Sequence, residues 1–137
     1  MTSSKLAIIE ECLTPWERTT DLADAFGSVR HRLAEDIEWV EDPSWPGYGT
    51  FNSPDEVLRY LRAQMDEVWE SLHVTIDEVR DLGGDRALTI VDTTGMAKSG
   101  VETKLRIAHI WTIREGQVKR IEWYLDPERA LEAAGEG

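Results

Sequence analysis

A chain of 137 residues with 41% hydrophobic and 31% charged side chains has the composition of one globular domain. Fifteen basic against 27 acidic residues leave a net charge of −12. That field repels phosphate backbones and anionic lipid, so neither nucleic acid nor a membrane is an expected partner. A single Cys12 excludes an internal disulfide and fits a reducing cytoplasm. The apolar stretch before Glu10 is too short for a secretory signal, and no run approaches the ~20 residues of a membrane span.

In chain order, Leu6, Ile9 and Leu13 recur at helical spacing and predict a helical N-terminal extension over residues 1–14. Thr14-Pro15-Trp16-Glu17 reads as a fresh helix start, with Thr at N-cap, Pro at N1 and Glu closing a capping box. Leu22, Phe26, Val29 and Leu33 then form one apolar stripe to about residue 34. Gly27 weakens that stripe and Thr20-Asp21 offers a second cap, so one kinked helix and two helices are both compatible. Ile37 to Val40 predicts a short strand ended by Glu41-Asp42-Pro43. The turn-rich loop after it carries Trp45 and Tyr48, two large aromatics expected to fold inward.

Ser53-Pro54-Asp55-Glu56 repeats the capping logic and opens a helix of about 18 residues reaching Leu72. Strands follow over His73–Leu82, Arg86–Met96 and Val101–Arg114, and a last one runs to Asp126, where Pro127 stops it. A short helix and tail close the chain over 128–137. Helices followed by consecutive antiparallel strands predict an α+β domain spanning 1–137, with helices on one face of a curved sheet and a hollow between them.

The hairpin from Val101 to Asp126 holds most of the candidate chemistry. By the period of two, Leu105, Ile107, His109, Trp111 and Ile113 share one face, and Arg106, Ala108, Ile110 and Thr112 the other. In its second arm Lys119, Ile121, Trp123 and Leu125 share a face opposite Glu122, Tyr124 and Asp126. A lone imidazole among apolar neighbours suits a proton acceptor, a proton donor or a hydrogen-bonding contact to a ligand, as well as a satisfied core position. Asp92 points either inward, where it needs a partner such as Lys104 or Arg106, or to solvent. Asp126 is either a functional carboxylate or the cap of the last helix. Trp39, Trp45, Tyr48, Trp111 and Trp123 suit an aromatic-lined cavity for a flat or cyclic molecule, or simple core packing; for Trp69 packing is preferred. His31, His73 and His109 show no metal-ligand spacing, and neither a cofactor nor a phosphate-cradling loop is expected.

Several segments in order resemble the nuclear transport factor 2-like superfamily, and within it the SnoaL-like proteins. They are Asp36-Ile37-Glu38-Trp39, Trp45-Pro46-Gly47 with Gly49-Thr50-Phe51, Ala108 through Gly116, and Ile121-Glu122-Trp123-Tyr124-Leu125-Asp126. The resemblance spans roughly residues 16–132. It implies a cone-shaped domain whose curved antiparallel or mixed sheet wraps N-terminal helices and encloses a pocket, often dimerising through the outer sheet face. Ketosteroid isomerases of this superfamily carry a general-base Asp in a Val-Glu-Asp-Pro strand end. Val40-Glu41-Asp42-Pro43 matches it, which marks Asp42, although no Tyr stands on the first helix here. SnoaL-type polyketide cyclases use a His and an Asp on the last two long strands. His109 fits the first, while Trp123 fills the second unless Asp126 serves. Tyr124-Leu125-Asp126 is similar to the strand end of limonene-epoxide hydrolases, but no Arg stands beside Asp92 for their relay. The resemblance therefore implies a pocket for a small apolar or cyclic molecule. It implies either cofactor-free acid/base chemistry as an isomerase, cyclase or hydrolase with His109, Asp42 and Asp126 as candidates, or a non-catalytic binding or accessory module. Asp92, Tyr124 and the aromatic set are the candidate binding residues.

Overall fold

The computed structural model describes residues 4–44 and 49–135; Trp45 and Tyr48 lie outside the described residues. In order the elements are α1 (Lys5–Arg18), α2 (Leu22–Gly27), a 3₁₀ turn (Arg30–Arg32), β1 (Leu33–Val40), β2 (Thr50–Phe51), α3 (Pro54–Glu67), β3 (Trp69–Gly83), β4 (Arg86–Ala97), β5 (Glu102–Arg114), β6 (Gln117–Tyr124) and α4 (Pro127–Ala133). The strands form one curved, open sheet in the order β2-β1-β6-β5-β4-β3. β1 and β6 run parallel and the other neighbouring pairs antiparallel. This is the α+β cone with a mixed sheet.

Helix α1 begins where the Ser4 hydroxyl accepts from Ala7 N at 3.1 Å. It does not stop at Thr14. Pro15 sits inside it, and the Thr14 hydroxyl donates back to the Glu10 carbonyl at 2.8 Å instead of capping a new helix. The helix is continuous because Ile8, Ile9, Cys12, Leu13 and Trp16 form one buried stripe. Burial of that stripe outweighs the backbone hydrogen bond that proline removes. Asp21 caps the short α2 by accepting from Asp24 N, so the expected stripe to residue 34 is two pieces. Leu33 already belongs to a strand. Ser53 caps α3 as the sequence suggests. That helix is shorter than expected, because Trp69 leaves it to pair with Ala97 and start β3.

The β5–β6 hairpin turns on Glu115 (φ 54°) and Gly116 (φ 76°), two consecutive left-handed residues, as the favoured two-residue turns require. The pleat divides the sheet as the alternation predicts. Ile107, Trp111, Ile113, Ile121 and Trp123 face the helices in the main core. Leu88, Ile90, Ala108 and Ile110 form a second cluster on the outer face, covered by Ala130 and Ala134 with Leu131 and Tyr124 packed against it. Beyond α4 the outer face carries Arg106 paired with Asp77 and Asp92. Among the described residues no helix is long and apolar enough to cross a membrane.

Candidate functional site

Between the helices and the concave sheet face lies a cavity of about 110 Å³. Its described lining includes six aromatic rings: Trp16 from α1, Phe26 from α2, Trp39 from β1, Tyr60 from α3, Trp69 from β3 and Trp123 from β6. Leu61, Met65, Leu72, Val91 and Ile107 supply aliphatic wall, and Glu41, Gln64, Thr93 and His109 supply the polar groups. No Lys or Arg is among these lining residues.

Glu41 follows the last residue of β1 and is 2% exposed. Its Oε2 accepts from Trp123 Nε1 at 3.2 Å. Its Oε1 is buried with no hydrogen-bond partner among the described residues, and the same holds for the indole nitrogens of Trp16 and Trp39. Burial pushes the carboxyl above its ordinary pKa; the nearby Tyr60 hydroxyl and the Trp123 and Trp39 indole N–H groups pull it only part of the way back. An apolar cavity thus holds a carboxyl with an unused oxygen and a tendency to keep its proton.

His109 stands on β5 opposite Thr89 of β4 and is 6% exposed. Trp111 Nε1 donates to the Thr89 hydroxyl at 2.8 Å, and that hydroxyl lies 3.3 Å from His109 Nδ1. The hydroxyl oxygen accepts from Trp111, and its own proton can be donated to Nδ1 of the ring tautomer that carries its hydrogen on Nε2. Trp16 meets the imidazole edge-on at 5.2 Å. Burial lowers the imidazole pKa to about 3, so the ring is neutral at physiological pH.

The other candidates are placed elsewhere. Asp42 is 0% exposed but does not line the cavity. It turns to the opposite side and accepts from Leu125 N at 2.9 Å, from Ser44 N at 2.9 Å, from the Ser44 hydroxyl at 2.8 Å and from Arg129. Burial alone raises its pKa, yet those donors outweigh it and bring the group to about 2. It therefore ties the end of β1 to α4, an engagement that occupies it fully. Asp126 caps α4 by accepting from Glu128 N at 2.9 Å and is exposed. Asp92 is exposed on the outer face, paired with Arg106 at 2.9 Å. Tyr124, also outside the cavity, donates to Glu122 at 3.0 Å, and burial with that contact raises its pKa to about 12. Trp111 backs His109 without lining the cavity, whereas Trp39 and Trp123 line it. Trp69, expected only to pack, lines it as well.

Glu41 went unmarked in the sequence, although the parity of β1 singles it out: a residue two beyond the inward Trp39 also points inward. Tyr60 and Trp16, on helices, carry no comparable signal. Among the described residues no three His, Cys, Asp or Glu side chains gather as a metal site would need.

Residues 20–121 match the family described as the SnoaL-like domain. Solved structures share the fold. An NTF2-like protein from Burkholderia thailandensis is 22% identical with a TM-score of 0.79, covering 96% of this chain and 98% of its own. TerC, co-crystallised with polyporic acid, is 19% identical with a TM-score of 0.76 over 97% and 99%. An LEH-like epoxide hydrolase from M. tuberculosis is 14% identical with a TM-score of 0.67 over 97% and 90%. No curated protein sequence matches the chain. The chain belongs to the SnoaL-like domain family.

Proposed function

We propose that this SnoaL-like domain binds a small apolar or cyclic molecule in the concave cavity and exchanges a proton with it through Glu41. The observation that carries the reading is the buried Glu41 carboxyl, whose Oε1 has no hydrogen-bond partner among the described residues at the wall of a mostly apolar cavity. A carboxyl whose pKa burial raises is a stronger base as the anion than a solvated one, and it can return the proton it takes. His109 supports it as a neutral hydrogen-bonding group. Asp42 and Asp126, committed to structural hydrogen bonds, do not enter the reaction. The test is deuterium uptake from heavy water, followed by mass spectrometry, into the acidic carbon positions of small cyclic enones and ketones that quench tryptophan fluorescence and match a cavity of about 110 Å³. A turnover lost about 10²- to 10⁴-fold in Glu41→Gln is expected. Turnover unchanged in that variant would refute the assignment.

The second reading is a binding module without turnover. It is favoured by the absence of a second free carboxylate beside Glu41 among the described residues, since Asp42, Asp92 and Asp126 are engaged elsewhere. Saturable binding with the ligand recovered chemically unchanged would decide for it. The same proposal includes a homodimer through the outer sheet face, which sedimentation equilibrium would read as twice the 15.6 kDa chain mass.

A further inference from the structure

The polar inventory of the cavity is unbalanced. It holds one carboxyl whose Oε1 has no hydrogen-bond partner among the described residues, and an imidazole that burial keeps neutral and that meets the Thr89 hydroxyl at Nδ1. Among the described residues no Lys or Arg lines the wall to neutralise Glu41, and burial disfavours the bare anion. Around the carboxyl stand Trp39, Trp123 and Tyr60, with Trp16 and Trp69 completing the wall. Aromatic faces attract a desolvated cation through the ring quadrupole, and a buried carboxylate attracts it through charge. A neutral apolar guest would use the rings but offer Oε1 no donor. The chain's net charge of −12 also raises the local concentration of cations over anions at any opening.

We infer that the occupant of this cavity carries a basic nitrogen, a small tertiary or secondary alkylamine, which binds as the ammonium with its N–H on Glu41 Oε1 and its alkyl groups against the indoles. This rests on reading the cavity as a small-molecule site. Proton balance is simple: an amine entering neutral takes the proton from the Glu41 carboxylic acid, leaving a carboxylate and an ammonium. An amine entering as the cation meets the carboxylate directly, or displaces the proton to solvent where Glu41 holds one. A cavity near 110 Å³ suits guests of about benzene size, since a dry cavity of about 150 Å³ accepts benzene itself.

Three probes of six heavy atoms separate the possibilities: N-methylpyrrolidine, a cation at pH 7.5; methylcyclopentane, its neutral apolar isostere; and cyclopentanol, a neutral donor. Binding is followed by tryptophan fluorescence and by the indole N–H resonances. The expected result is N-methylpyrrolidinium binding about tenfold or more tighter than either neutral probe. That preference is lost in Glu41→Gln, which still takes methylcyclopentane. Equal binding of the cation and methylcyclopentane, or tighter binding of cyclopentanol, overturns the amine inference and leaves the small-molecule site standing. Binding of none of the three overturns both. Should Glu41→Gln fail to fold, the wild-type ranking alone decides.

Discussion

Ile37, Trp39 and Glu41 follow one another at steps of two along β1, so the pleat aims all three at the helices, while Asp42 turns under α4. The two adjacent carboxyls consequently titrate in opposite directions. Glu41 has a raised pKa, so its favourable contribution is complete below the unfolded value and is lost as pH rises through the folded one. Glu41→Gln should therefore stabilise the protein by about 1 kcal/mol at pH 8 and by less at pH 4, in urea melts at both pH values. Asp42 is depressed to about 2, so its contribution is present above the ordinary value of 3.8 and lost as pH falls toward 2. Asp42→Asn should cost about 2 kcal/mol at pH 7 and much less at pH 2.5. His109, neutral by burial, resists protonation in the folded state, so stability falls as pH drops below 6.5 toward 3. Between pH 7.5 and 5 the wild type should lose about 2 kcal/mol that His109→Gln does not lose. A parallel pH dependence in the two proteins would contradict the buried, neutral imidazole.

At the scale of elements, β3 and β4 meet at a point with no room. Gly95 faces Leu72, and a Cβ built on it would collide with Trp69 Cζ3 and lie 3.0 Å from Leu72 Cδ2. Gly95→Ala should displace the Trp69 ring from the cavity wall, destabilise the protein by about 1–3 kcal/mol and shift its tryptophan emission. Unchanged emission and stability would show that the ring yields without consequence. The strands themselves were readable from alternation, because period two survives wherever one face is buried; β5 and the end of β6 follow the pattern, but the irregularity at Thr112/Ile113 puts Val118 in the core with Ile121 and leaves Lys119 paired with exposed Asp36. Helix ends were less readable. Thr14-Pro15-Trp16-Glu17 has every residue of a start signal, but the tertiary demand to bury Leu13 and Trp16 together overrides it. The sequence marked Asp42, whereas its neighbour Glu41 lines the cavity, since a short tetrapeptide match says nothing about which neighbour faces inward. Trp16 lies outside the matched residues 20–121, yet it sits against His109.

At the scale of the whole molecule, the sheet is joined by its first long strand lying parallel to its last. Leu33 pairs with Val118, and Trp39 with Ile121. The β3–β4–β5 meander needs only neighbouring contacts, but β1, and with it Trp39 and Glu41, finds its place only when β6 is present. During synthesis on the ribosome the helices and β1 emerge early and then wait for almost the entire remaining chain. A nascent chain halted with residues 1–116 outside the exit tunnel should stay sensitive to protease, and one extended past α4 should become resistant. Until β6 is released, the apolar faces of α1 and β1 are exposed to whatever binds unfinished chains, so the demand for chaperones is set by when Gln117–Tyr124 emerges.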